Sequence, residues 1–152
     1  MLSRTAEYLY WISRYMERAE TTARLLDVGY RMSLFPNPSG YNNEWESVLS
    51  AAGAIEGYKN KYDTIEQKNV EDYLFFDESN PSSVYNCILN ARNNALVVRT
   101  SFTPESWLAI NKTYQEILNL KEKKFTKSDL PDLTEWTIEQ VNLFRGSLSS
   151  LL

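Results

Sequence analysis

Between residues 7 and 24 the chain places Glu7, Tyr10, Arg14, Glu17, Thr21 and Arg24 at alternating intervals of three and four. On a helix such residues share one stripe, and Arg18 falls beside it. A guanidinium holds carboxylate or phosphate through two parallel hydrogen bonds, while a carboxylate orients that fork or accepts an amine. Spacing predicts intrahelical pairs of Arg14 with Glu17 and of Glu20 with Arg24. One reading of this stripe is a solvated face whose ion pairs each contribute roughly a few tenths of a kcal/mol. The other is a helix covered on both sides, its Arg-Glu-Tyr face lining a polar cleft. Tyr8, Trp11 and Tyr15 make the flank unusually aromatic for plain solvent exposure, and we expect the enclosed arrangement. Arg92 and Arg99, seven residues apart, are expected on one side of a later helix. There they either pair with Glu7 or Glu17 across the cleft or clamp an anion, with Asn93, Asn94 and Asn111 nearby.

Several chemistries lack their residues. The chain has no His, which removes Ser-His-Asp triads, Cys-His pairs and His-based metal sites. Its single Cys, Cys87, sits in a helical pattern and reads as a small core residue. No glycine-rich phosphate loop occurs, so neither a cofactor nor a metal is expected and no catalytic residue is assigned. Glu7 or Glu17 as a general base would define an enzyme of small-peptide metabolism. Neighbouring guanidiniums favour a charged carboxylate, however, which works against that role.

Composition narrows the setting. A net charge of −4 gives no basic footprint for nucleic acid. No apolar run approaches the ~20 residues that span a bilayer, and Arg14, Glu17 and Arg18 interrupt any secretory signal. With one Cys, a cytoplasmic protein is expected. Five Arg and no Lys lie within residues 1–31, whereas 59–68 and 112–127 carry Lys and no Arg. Arg suits partly buried cations and Lys suits solvated ones, so the first group is expected inward and the second outside.

The elements that position these residues follow from periodicity. Leu2, Thr5, Leu9, Ile12, Met16, Ala19, Ala23, Leu26 and Tyr30 mark an apolar stripe on a long helix within the first thirty-four residues. At about 1.5 Å per residue it runs roughly 45 Å. Ser3 is its expected N-cap, and Pro36-Asn37-Pro38-Ser39-Gly40 its terminating loop. Asn43 with Glu46 opens a second helix carrying Trp45, Val48, Leu49 and Ala52, which breaks near Gly53 or Gly57. A third begins between Asp63 and Glu66 and buries Ile65, Val70, Tyr73, Leu74 and Phe76. Asn80 as N-cap and Pro81 at the first position start a fourth, with Val84, Ile88, Ala91, Ala95, Val98 and Phe102 inward. Thr103-Pro104 caps a fifth with Trp107, Ile110, Tyr114, Ile117 and Leu118 inward. After a solvated lysine link at 121–127, a last helix starts near Pro131 with Leu133, Val141, Phe144, Leu148 and Leu151 inward. Together these predict an all-α bundle of five to six helices with a long N-terminal helix. The apolar end, Leu148 to Leu152, points to truncation or docking against another chain.

The opening block LSRTAEYLYWISRYMERAETTARLLDV closely resembles the start of the bacterial alpha-E family, helical proteins named for a Glu-Arg motif that is here Glu17-Arg18. The likeness continues through Asn80-Pro81-Ser82-Ser83, Ala91-Arg92-Asn93-Asn94-Ala95, Arg99 and Trp107 to Asn111. It covers residues 1–152 as one domain of this type. Members commonly carry a second half with its own Arg-Tyr-x-Glu-Arg helix, so this chain corresponds to a first half or a short member. The resemblance implies association with atypical ATP-grasp amide-bond ligases and transglutaminase-like peptidases. On that basis the expected function is a non-catalytic module binding such a partner or a small peptide-like or anionic ligand. Glu7, Tyr10, Arg14, Glu17, Arg18, Arg24, Arg92 and Arg99 are the candidate binding residues. A homo-oligomer and a purely structural bundle stay open.

Overall fold

The long first helix is where the chain's apolar periodicity is turned into packing. The structure, a computed structural model, describes residues 3–35, 43–123 and 129–149. Within them α1 spans Ser3–Ser33, α2 Asn43–Ala51, α3 Ile55–Lys61, α4 Gln67–Phe75 and α5 Val84–Val97. A 3-10 turn at Arg99–Ser101 leads to α6 at Pro104–Glu122, and α7 covers Leu130–Leu148. Among the described residues there is no strand, so the fold is the expected all-α bundle. Leu2, the Pro36–Gly40 loop, most of the lysine link and Leu151 lie outside the described residues.

Four helices close a ring. α1 lies between α5 and α7, and α6 completes the circuit by touching both of them. Leu9, Ile12, Met16, Ala19, Ala23 and Leu26 are all buried, as their spacing predicts. Ala19 and Ala23 on α1, and Ala91 and Ala95 on α5, are fully buried. Side chains this small let the two helix backbones come close. One half of the core joins Leu9, Ile12 and Met16 to Ile110, Val141 and Phe144. The other gathers Leu26, Trp45, Leu49, Tyr58, Leu74, Phe75 and Ile88, where α2 and α4 pack against α1 and α3 packs against α2. Two buried polar groups tie helices together. Thr113 donates to Gln140 at 2.9 Å between α6 and α7, and Thr134 donates to the Ala23 carbonyl at 3.3 Å between α7 and α1.

Local differences from the sequence reading have local causes. Gly53 takes φ +68 in the turn after α2, but the chain then makes the short helix α3 with Gly57 inside it. That adds a seventh helix to the five or six expected. Asn80 does not cap α5. Its amide donates to the Tyr73 carbonyl at 2.9 Å and its Oδ1 accepts from Ser82 N at 3.1 Å. Thus committed to the end of α4, it leaves Ser83 as the cap, accepting from Asn86 N at 3.1 Å. Thr103 caps α6 as expected, accepting from Ser106 N at 3.2 Å. Phe75, rather than Phe76, is the fully buried ring at the end of α4. α1 and α2 are described from Ser3 and Asn43 onward, and the residues before them lie outside the described residues.

Gly29 shows how tightly α2 crosses α1. A Cβ there would sit 2.7 Å from Trp45 Cζ3 and 2.8 Å from Val48 Cγ2. Helix propensity alone favours Ala over Gly by about 1 kcal/mol. Overpacking against a buried indole costs about 1–3 kcal/mol. Gly29→Ala is therefore expected to destabilise the fold by about 1 kcal/mol, read as a lower urea midpoint; an increased midpoint would contradict this packing.

Candidate functional site

The stripe that the sequence marks for recognition faces solvent. Glu7, Tyr10, Arg14, Glu17, Thr21 and Arg24 are all exposed, and so is Arg18. This corrects the expectation of a helix enclosed on both sides. α1 turns its apolar stripe to α5 and α7, and α6 closes the ring on the far side. No described helix is left to cover the outer face. The proposed inward placement of the N-terminal Arg group is corrected for the same reason.

Both predicted pairs form. Arg14 Nη1 lies 2.9 Å from Glu17 Oε2, each side chain 50% exposed. Arg24 Nε donates to Glu20 Oε2 at 2.9 Å. Glu20 does more than the sequence shows, because its other oxygen accepts from Arg145 Nη1 of α7 at 2.8 Å. It is only 13% exposed, so it acts as a fork joining α1 to α7. Burial by itself would raise the Glu20 carboxyl, but hydrogen bonds and charge from Arg24 and Arg145 outweigh it and hold it below its ordinary value. Around this fork lies an open depression of about 540 Å³ lined by Arg14, Arg18, Arg24 and Arg145. Four guanidiniums meet two carboxylates there, Glu17 and Glu20, leaving a local excess of positive charge. Arg18 makes no ion pair among the described residues and is the cation with most to offer an anion.

The aromatic flank forms a second, adjoining depression of about 380 Å³ between α1 and α5. Tyr8 and Tyr15 are half-buried in its wall, while Tyr10 is 56% and Trp11 44% exposed. Arg4, Glu7 and Asn94 supply its polar atoms. The Tyr10 and Trp11 rings meet edge-on with centroids 5.3 Å apart. Two adjoining sites, one cationic and one aromatic, therefore run along the same helix.

Arg92 and Arg99 do not join them. Arg92 Nε donates to Asn111 Oδ1 at 3.3 Å, and its guanidinium lies over the Tyr114 ring, 4.6 Å from the centroid. It braces α5 against α6 and makes no ion pair with Glu7 or Glu17. Helical register ends at Val97, so Arg99 falls in the 3-10 turn, exposed and off the line that seven-residue spacing implies. Arg145 and Glu20 were not among the candidates. Arg145 lies on another helix far along the chain, and only the fold brings it to the site.

Elsewhere, Lys59, Lys61, Lys68, Lys112 and Lys123 are exposed, as expected, while Lys124 and Lys127 lie outside the described residues. A depression of about 700 Å³ holds Lys61, Lys68, Lys121 and Lys123 beside Asp72, Asp77 and Glu78. Its charges largely satisfy one another, since Lys61 pairs with Asp77 and Lys121 with Glu78. Cys87 is buried, and loss of solvation pushes its thiol up to about 12, with the charge of Arg18 opposing weakly. It is a core residue without thiolate chemistry at neutral pH. Among the described residues no three carboxylates or thiols gather as a metal site, and no helix is long and apolar enough to cross a membrane.

The Glu20 fork has a pH signature. Its folded carboxyl lies below the ordinary value, so its contribution is present above the unfolded pKa and is lost as pH falls through the folded one. Glu20→Gln should therefore cost about 1 kcal/mol or less at neutral pH. That difference should shrink to nothing in acid, as measured by urea unfolding across pH. A cost independent of pH would show that the fork contributes through packing alone.

No curated protein and no solved structure matches the chain. Residues 1–151 match Alpha-E, described as a predicted alpha-helical domain with a conserved ER motif. The Glu17-Arg18 pair that carries the motif's letters stands at the rim of the cationic depression. With the match running from one end of the all-α fold to the other, the chain belongs to the Alpha-E family.

Proposed function

We propose that this chain is a non-catalytic helical module that docks a partner through the outer face of α1. It would work in cytoplasmic peptide synthesis or processing alongside an ATP-grasp-type amide ligase or a transglutaminase-like protein. The observation supporting it is the exposed run of Arg14, Glu17, Arg18 and Arg24 beside Tyr10 and Trp11. Arg and large aromatic residues dominate binding energy where proteins meet. Here the inner stripe of α1 already provides the packing, so the outer one is not needed for the fold. The guanidinium excess fits carboxylate or phosphate groups, held in forked fashion by Arg14, Arg18 and Arg24. Glu7 and Glu17 orient those groups or accept an amine.

An enzymatic reading gains little from this geometry. Glu17 is half-exposed and engaged with Arg14, and Glu7 is exposed on an open wall. Neither sits in the water-excluded setting in which a carboxylate serves well as a base.

The test is capture of an ATP-grasp-type amide ligase by the wild type and by Glu17→Ala/Arg18→Ala. The double variant should keep its helical circular dichroism and lose affinity by about tenfold or more, equivalent to ~1.4 kcal/mol. Unchanged affinity in the folded variant, or no capture by the wild type, would contradict the proposal.

A further inference from the structure

The outer stripe of α1 reads the same in both directions. Glu7, Tyr10, Arg14, Glu17, Thr21 and Arg24 are spaced three, four, three, four, three, and all are exposed. This is a seven-residue repeat, the spacing that keeps one seam turned toward a partner helix. Lay a second α1 antiparallel on this seam so that Arg14 faces Glu17. Glu7 then faces Arg24 and Tyr10 faces Thr21, and each pairing recurs in reverse about a two-fold axis. Six layers result, of which four set a carboxylate against a guanidinium and two set a Tyr ring against a Thr.

Other registers fail. Sliding by one heptad brings Arg14 opposite Arg24 in one direction and Glu7 opposite Glu17 in the other. An in-register parallel pairing sets every charge against its own copy, and a parallel pairing offset by one heptad forms two opposite-charge layers against the four of the antiparallel one. The pattern thus favours one arrangement and penalises its nearest competitors, which is how charge placement gives specificity. Self-complementarity under a two-fold is what an isologous dimer requires.

We infer that the outer face of α1 pairs antiparallel with the same face of a second copy of this chain. The inference rests on reading that face as a docking surface and adds a second copy as an occupant that competes with the ligase for it. The seam is mostly charged, so the dimer is held by partly solvated ion pairs and weakens with salt. Glu7 and Arg24 are seventeen residues apart, roughly 25 Å along one helix. They cannot touch within a chain, so any coupling between them reports contact between copies.

That separation gives a complementation test. Glu7→Arg alone sets Arg against Arg24 of the other copy, and Arg24→Glu alone sets Glu against Glu7. Mixing the two variants restores opposite charges in both end layers of a mixed dimer. Sedimentation of the full chain at about 0.1 mM and low ionic strength should show a dimer that dissociates as salt is raised. Each variant alone should self-associate at least about tenfold more weakly. An equimolar mixture should recover the dimer, and native mass spectrometry should find one copy of each variant in it. Recovery also shows that both variants are folded. A monomeric wild type, a dimer indifferent to both variants, or a mixture no stronger than its components would overturn the inference. A monomer that still captures the ligase through Glu17 and Arg18 refutes self-pairing but leaves the docking proposal standing. A complementing dimer whose ligase capture is unmoved by Glu17→Ala/Arg18→Ala supports self-pairing and refutes docking of the ligase there.

Discussion

The close approach of α1 and α5 is the contact on which the rest of the molecule depends. Ala19 and Ala23 on α1 and Ala91 and Ala95 on α5 are all fully buried, and α1 and α5 share the most extensive helix contact. Ala91 and Ala95 belong to the half of the core that holds Ile12 and Met16, and Ala19 to the half that holds Leu26. A methylene added at any of these alanines has no void to occupy, because interiors are packed to crystal-like density. With α5 set against α1, α6 and α7 close the ring, and α2 and α4 pack on the remaining end of α1.

The division of labour on α1 follows from that packing. One stripe supplies the apolar burial, and the other is left with charges whose exposed pairs add little to stability. Arg14 and Glu17 are thus available for contacts outside the chain at small cost to the fold. Glu20 is the exception, turned far enough toward α7 to hold both Arg24 and Arg145. It fixes the wall of the cationic depression as well as joining two helices. The guanidiniums of this face stand on a long helix rather than a loop, which holds their spacing fixed.

Much of the fold was legible in the amino-acid order because periodicity is local. The inner stripe of α1 and the Thr103 cap came out as spaced, since each needs only neighbours within a turn or two. Asn80 misled because its side chain has three uses in range, and tertiary contact with Tyr73 chose among them. The helix α3 was hidden because Gly53 before it and Gly57 within it each read as a break. At the site, Arg14–Glu17 and Glu20–Arg24 were visible as i to i+3 and i to i+4 neighbours. Exposure was not visible. Aromatic and Arg-rich residue types show that a face is suited to contact, but not whether the contact lies inside the chain or beyond it. Arg92 was placed on the wrong partner because one-dimensional spacing cannot show that Tyr114 and Asn111 lie closer than Glu17.

Native-state amide hydrogen exchange tests most directly the claim that α1 is the spine and its outer face is free for other use. The account predicts that amides from Leu9 to Leu26 exchange only through global unfolding, with the same opening free energy as the slowest amides of α5. Alanine at Arg14 and Glu17 should leave that value unchanged. If α1 instead opens well below α5, or if removing those two charges lowers the protection of the whole helix, the outer stripe is holding the fold together and the account is wrong.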